Sequence, residues 1–179
     1  MAQSQTAFQL LLDIDQRCRS LAAGLPLQET RQQGWGGIGF RMGERHYVAP
    51  MGEIDEILHE PRCAVLPGAK AWVRGIANLR GRLLPIIDLC AFFGHELSPL
   101  RKQRRVLVID FQGVFVGLLI DEVLGMQHFS ERSLMPEPGH DSEPRVAPYI
   151  QGRFVREQAW QVFSPRALVQ SPDFMDVAL

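Results

Sequence analysis

Hydrophobic and polar positions change rhythm near residue 35. Upstream, Phe8, Leu11, Leu12, Cys18, Leu21, Ala22 and Leu25 recur at three- or four-residue steps, interrupted only by Asp15. That spacing puts them on one stripe and predicts an amphipathic helix over 7–25. Pro26 follows and cannot extend it. Such a stripe needs something to pack on, either the rest of the chain or a partner. Residues 26–34 are polar and read as a linker.

Downstream the period drops to two. Ile38, Phe40 and Met42 alternate with Gly39 and Arg41, "GER" supplies a turn, and "HYVAP" resumes, which predicts a β-hairpin. "EIDEILHE" alternates Ile54, Glu56 and Leu58 with Asp55, Ile57 and His59 and reads as a strand; residues 69–73 read as one helical turn. "IANL" and "RLLPII" flank Arg80-Gly81 as a second hairpin, with Pro85 at an edge or a bulge. Asp88 suits the N-cap of a short helix over Leu89–Phe93, and Gly94 its stop. Residues 95–104 read as loop. "RVLVIDF" and "VFVGLLIDEVLG" read as two strands joined by Gln112-Gly113. "MPEPGHDSEPRVAP", residues 135–148, is loop by its Pro and acid content. "YIQGRFVRE" and "AWQVF" form the last hairpin, and "SPRAL" a closing helical turn with Ser164 as cap and Pro165 at its first position. The tail from Ser171 is expected to fray. Many short strands with glycine turns favour a sandwich or barrel, and the lack of strand–helix alternation disfavours a parallel α/β sheet. The expected division is helix and linker over 1–34, a β body over 35–170 and a tail over 171–179.

Composition narrows the function classes. The chain has 179 residues, 46% of them hydrophobic, and a net charge of −1. It is long enough for one domain, or for one built of two small lobes. Nothing in the overall charge recommends nucleic acid or an anionic membrane as partner. Cys18, Cys63 and Cys90 are scattered and odd in number, which disfavours a disulfide framework or a zinc site and fits a reducing compartment. "MAQSQTAF" lacks a basic segment followed by an apolar core, so no signal peptide is expected. No run of about 18 apolar residues is present. "VLVIDFQGVFVGLLI" is broken by Asp110, Gln112 and two glycines. The expected location is the cytoplasm.

Catalytic signals are thin. "GWGGIG" matches a dinucleotide-loop pattern but precedes an alternating strand rather than a helix, and reads as a flexible lead-in. The five histidines show no paired spacing, and neither a nucleophile elbow nor a phosphate loop occurs. Asp121, Glu122 and His128 could serve a small enzyme; a solvated strand end is the plainer reading. "RKQRR", residues 101–105, could let a barrel bind single-stranded nucleic acid, but that needs exposed aromatics, and Phe92 and Phe93 read as core; a solvated inter-strand loop is the plainer reading, and a charged contact with an acidic protein the next. That barrel remains the alternative function. In "GIANLRGRLLPIIDL", residues 75–89, an arginine sits at a glycine turn between apolar strands. Burying it requires a carboxylate, and Glu53, Asp55 and Glu56 are candidates.

The pattern G-x-x-N-x-R-G-x-x-x-P-x-x-D-L, complete here from Gly75 to Leu89, resembles the hallmark of the CheW family of chemotaxis adaptor domains. "FRMGERHYVAPMGEIDEIL" and "RVLVIDFQGVFVGLLIDEVLGM" resemble its first hairpin and later strands, so the likeness spans about Trp35 to Leu168. The extra N-terminal helix and the stretch around "LPGAKAWVRGIANLRG" resemble family members from chemosensory systems that control type IV pili and twitching motility.

The resemblance implies a mainly β fold: two interlocked SH3-like five-stranded β-barrels packed about a shared apolar core, plus the N-terminal amphipathic helix. It implies a non-catalytic adaptor without cofactor, metal or nucleic acid. Its partners would be the regulatory domain of a CheA-type histidine kinase and the cytoplasmic tip of a chemoreceptor. It would be cytoplasmic, with no membrane insertion of its own, and recruited to membrane receptor arrays. By position, Ile54, Gly75, Val123 and Met126 would line the groove that receives receptor helices, with Asn78, Arg80 and Gly81 beside it. Glu56 and Arg80 would pair. The chain departs from plainer members at "HEPRCAVLPG", in the long loop 135–148 and in a more polar final strand.

Overall fold

A computed structural model of the chain describes residues 7–21, 34–136 and 143–179. Helix α1, Ala7–Leu21, forms a unit by itself, and residues 33–179 form the other. Phe8, Leu11 and Leu12 are exposed on α1. Its expected extension to Leu25, the linker up to residue 33 and residues 137–142 of the acidic loop lie outside the described residues.

Ten strands are described in the larger unit: β1 (Gly34–Met42), β2 (Arg45–Pro50), β3 (Glu56–His59), β4 (Val73–Leu79), β5 (Arg82–Asp88), β6 (Arg105–Phe111), β7 (Val114–Ile120), β8 (Glu122–Ser130), β9 (Ile150–Val155) and β10 (Ala159–Phe163). They form two five-stranded sheets, ordered β8-β1-β2-β10-β9 and β3-β6-β7-β5-β4. All pairings are antiparallel except β2–β10 and β5–β7. The two orders carry the same pattern: a hairpin (β1–β2 or β6–β7) joined on one side by a lone strand and on the other, in parallel, by a second hairpin. In chain order this is a swapped repeat. The first half supplies a hairpin to one sheet and a lone strand plus hairpin to the other, and the second half returns the exchange. The repeat is visible in "IDEIL", residues 54–58, and "IDEVL", residues 120–124.

Each sheet closes on itself through one bridge. Ala64 pairs with Ile76 of β4, and Met135 with Arg153 of β9, each by two N–H···O bonds of 2.8–2.9 Å. The residue before each bridged partner is a glycine. A Cβ on Gly75 would lie 2.1 Å from the Ala64 carbonyl oxygen, and one on Gly152 2.6 Å from that of Met135. The sheets are therefore small barrels, and their seams need a residue without a side chain.

The core has three parts. Ala77, Leu84, Ile86, Val106, Val108 and Leu119 fill the β3–β7 barrel. Val48, Phe129, Phe154, Trp160 and Val162 fill the other. Between them lies a larger cluster that includes Phe40, Tyr47, Leu107, Ile109, Leu118, Ile120 and Phe163. Strands β6 and β7 thus bury alternate residues in their own barrel and in the shared layer, which is why both read as nearly unbroken apolar runs.

Short helices close each half. Asp88 caps α2, Leu89–Phe93, by accepting from the Ala91 N–H, and Gly94 ends it in a left-handed conformation. Ser164 caps α3, Pro165–Val169, in the same way, with Pro165 in its first turn. Other expectations need correction. Residues 69–73 form no helical turn: Ala69 is bridged to Ala178, residues 71–72 turn and Val73 begins β4. "GWGGIG" is part of β1. The run "VFVGLLIDEVLG" is two strands, because the chain passes from one barrel to the other at Asp121. The tail does not fray: α4, Pro172–Met175, buries Phe174 against Trp72 and Phe92, and Lys70 pairs with Asp176 at 2.8 Å.

Candidate functional site

The chain crosses between barrels twice, after β2 and after β7. The first crossing holds three residues, Met51, Gly52 and Glu53, that the second lacks. Glu53 anchors them: its Oε2 accepts from the Ser164 hydroxyl at 2.9 Å and from the Arg166 N–H at 3.1 Å. The Asp55 N–H then donates to the Val108 carbonyl at 2.9 Å and starts β3. Pinned at both ends, the segment presents Ile54 half-buried against the inter-barrel core.

Opposite stands β8. Its pairing with β1 skips a residue, Gly39 facing Gly125 and Phe40 facing Val123, so Leu124 is the extra residue of a bulge. The bulge inverts the alternation. Leu124 and Phe129 both pack into their barrel. Val123 and Met126, three apart, oppose Phe40 and Ile38, which share one face of β1, a placement that a regular strand forbids. Ile38, Met51, Ile54, Ile57 and Met126 line a shallow apolar groove of about 310 Å³. Met126 is 52% exposed and Met51 55%, so the patch is solvent-facing on the larger unit.

One end of the groove is charged. Asp55 and Glu56 also line a neighbouring hollow of about 190 Å³ with Leu79, Arg80, Arg82 and Asp110. Arg80 Nη2 lies 2.7 Å from Glu56 Oε1, and Arg82 Nη1 2.8 Å from Asp110 Oδ2. The Asp110 N–H donates to Asp55 Oδ2 at 2.7 Å, and the Arg82 guanidinium stacks 3.7 Å over the Phe115 ring. The hairpin turn that carries Arg80 is closed by Asn78, whose Oδ1 accepts from the Gly81 N–H at 2.8 Å.

The structure therefore brings Ile54 and Met126 into one groove and joins Glu56 to Arg80 beside it, while Val123 packs against the inter-barrel core and is not among the groove's lining residues. Asn78 and Gly81 shape the turn rather than line the groove. Gly75 lies elsewhere, buried at the seam under Ala64 and Cys63. Ile38, Met51 and Ile57 were missed. The detectable signal for Met51 is the three-residue insertion before the first copy of the "IDE(I/V)L" repeat; Ile38 is the strand partner of Met126.

The residues weighed for other functions are engaged structurally. Both carboxylate oxygens of buried Asp121 accept backbone N–H groups, from Gly43 at 2.7 Å and Ser98 at 2.6 Å, and Glu122 lies 3.4 Å from Arg41. Among the described residues no hydrogen bond links His128 to either. In the basic run, Arg101 and Arg104 turn towards Glu60, and Arg105 donates to the carbonyls of Lys102, Gln103 and Arg104. No described helix is long and apolar enough to cross a membrane.

Comparisons with known proteins bear on this geometry. The family model described as "CheW-like domain" matches residues 36–173. The chain is 62% identical over all 179 residues to Protein PilI of Pseudomonas aeruginosa, covering the whole of both chains. It is 32% identical to the chemotaxis protein CheW of Rhizobium meliloti over 101 residues, 56% of this chain and 65% of that one. The crystal structure of the scaffolding protein TtCheW from Thermoanaerobacter tengcongensis superposes with a TM-score of 0.68, covering 80% of this chain and 98% of that one at 21% identity, and so shares its fold. By the family match and by full-length likeness, this chain belongs to the CheW-like domain family.

Proposed function

We propose that this protein is a non-catalytic adaptor that couples the cytoplasmic tip of a chemoreceptor to the regulatory domain of a CheA-type histidine kinase, in a chemosensory system controlling type IV pilus twitching motility. It works in the cytoplasm and is recruited to membrane receptor arrays. The observation that carries the reading is the exposed apolar groove between the barrels, flanked by the Glu56–Arg80 pair. A receptor helix laid there buries Met51, Ile54, Ile57 and Met126 and gains affinity from apolar area, with Arg80 and Glu56 as polar anchors of register. Val123 supports the floor, Gly75 keeps its barrel closed, and Asn78 and Gly81 hold Arg80 in place. The full-length likeness to PilI supports the pilus system as the setting.

The test is calorimetric titration with a chemoreceptor cytoplasmic fragment and, separately, the kinase regulatory domain. Ile54→Asp and Met126→Asp should weaken receptor binding at least tenfold and leave kinase binding unchanged. Equal loss of both would mean that the groove had collapsed. Wild-type receptor binding in both variants would remove the groove from the function.

A further inference from the structure

Away from the groove, a cleft of about 580 Å³ opens on the β3–β7 barrel between residues 60–65, β4 and the loop before β6. Its floor is apolar, formed by Val73, Ile86 and Leu119, and Arg62, Arg74 and Arg101 stand around it. Glu60, at 9% exposure, is the one carboxylate among its lining residues. Three guanidiniums turn to it: Arg104 at 3.3 Å, Arg101 at 3.4 Å and Arg74 at 3.7 Å. These distances exceed the roughly 2.7–2.9 Å of a well-formed charge-assisted bond, which Glu56–Arg80 does achieve at 2.7 Å.

Arg104 is also held by the Ser98 carbonyl, 2.7 Å from its Nε, so it is fixed in place and neutralises Glu60. Asp88 is close enough to feel Arg74 and Arg104, but it is buried and its Oδ1 is committed to capping α2. Arg62 makes no ion pair among the described residues. Arg62, Arg74 and Arg101 are thus cations without a full counter-charge, over an apolar floor, beside the exposed side chain of Val65. The volume lies within the range of ordinary ligand sites.

We propose that this cleft binds an acidic, partly aliphatic peptide segment of a partner protein, with carboxylates on Arg62, Arg74 and Arg101 and aliphatic side chains on Val73, Ile86 and Leu119. A free inorganic anion would satisfy the arginines and leave the floor wet, whereas alternating acidic and aliphatic side chains satisfy both. This second site does not depend on the groove assignment.

The probe is a fluorescent acetyl-Leu-Glu-Val-Glu-Leu-Glu-amide, titrated against the full chain by anisotropy, with inorganic phosphate as a parallel arm. The expected result is saturable, salt-sensitive binding that Arg74→Gln/Arg101→Gln weakens at least tenfold. Bound peptide should also slow alkylation of Cys63, which lines the cleft, in a Cys18→Ser background; buried Cys90, its thiol pushed up by burial, stays unreactive. The double variant should retain receptor-fragment binding, which separates this site from the groove. No saturable binding, or equal binding by the double variant, would overturn the proposal. Phosphate binding with the same arginine dependence and no peptide binding would make it a small-anion site, and would overturn it equally.

Discussion

Arg80 takes φ +52° and Gly81 φ +84°, the two central positions of a two-residue hairpin turn whose twist suits the strands it joins. A left-handed arginine is strained by about 1–2 kcal/mol, and what the strain secures is its reach to Glu56. With the Arg80 side chain 77% exposed, the pair is screened and contributes roughly 0–1 kcal/mol. Arg80→Ala should therefore shift the urea midpoint little while weakening receptor-fragment binding. A large loss of stability would instead make Arg80 a structural residue. The nearby glycines should behave oppositely. Gly75→Ala drives a Cβ into the Ala64 carbonyl at φ +130° and should cost more than about 2 kcal/mol. Gly81→Ala meets open space and should cost only about 1 kcal/mol of backbone strain. Urea denaturation of both variants decides. Gly75 and Arg80 stood out in the sequence because they share one motif. The reason for Gly75 did not, because it rests on a carbonyl brought over it by barrel closure, and no local pattern records that contact.

Short helices α2 and α3 show what is legible at the scale of elements. Caps, turns and hairpins follow from neighbours in sequence, so Asp88, Gly94, Ser164 and the Gln112-Gly113 turn could be read directly. The break at Asp121 could not, because strands buried on two faces lose their polar alternation and the apolar run continues across the crossing. The bulge at Leu124 was hidden for a related reason: it changes which residues share a face without changing their composition. The two caps also differ in chemistry. Burial raises the Asp88 carboxyl above its ordinary value of 3.8, only partly opposed by the Ala91 N–H and by Arg74 and Arg104. A raised acid binds more protons in the folded state, so its stabilising contribution is complete below the unfolded value and is lost as pH rises through the folded one. At neutral pH the ionised group is a burden. Asp88→Asn keeps an equally good cap without the charge. It should match or exceed wild-type stability at neutral pH, with the difference shrinking as pH falls towards 3.8. Urea midpoints across that range test this, and a variant less stable at neutral pH would refute it.

For the whole molecule, the decisive feature is the exchange between halves. Residues 1–100 carry β1 to β5 and residues 101–179 carry β6 to β10, yet neither set completes a barrel. A chain cut in the exposed loop after Leu100 should give two fragments that are each unfolded alone and co-purify as a native-like pair when expressed together. Independent folding of either fragment, judged by cooperative unfolding, would contradict the described topology. The likeness to known adaptors made two barrels an expectation, but the swap between them is a matter of which distant strands meet, and alternation within single strands is blind to that. The same nesting sets an order of events during synthesis. Strands β3 to β7 are contiguous, so their barrel has all its parts once Ile120 is made. Of the strands, the β1–β2 hairpin emerges first and waits longest. Phe40 and Tyr47 can meet β6 and β7 once these are made, but the open edge of β2 has no strand partner until β10 arrives near the end of the chain. Such non-local pairing is slow, and the waiting surface is prone to misassociation. The first strands to be made are therefore the last to be sealed.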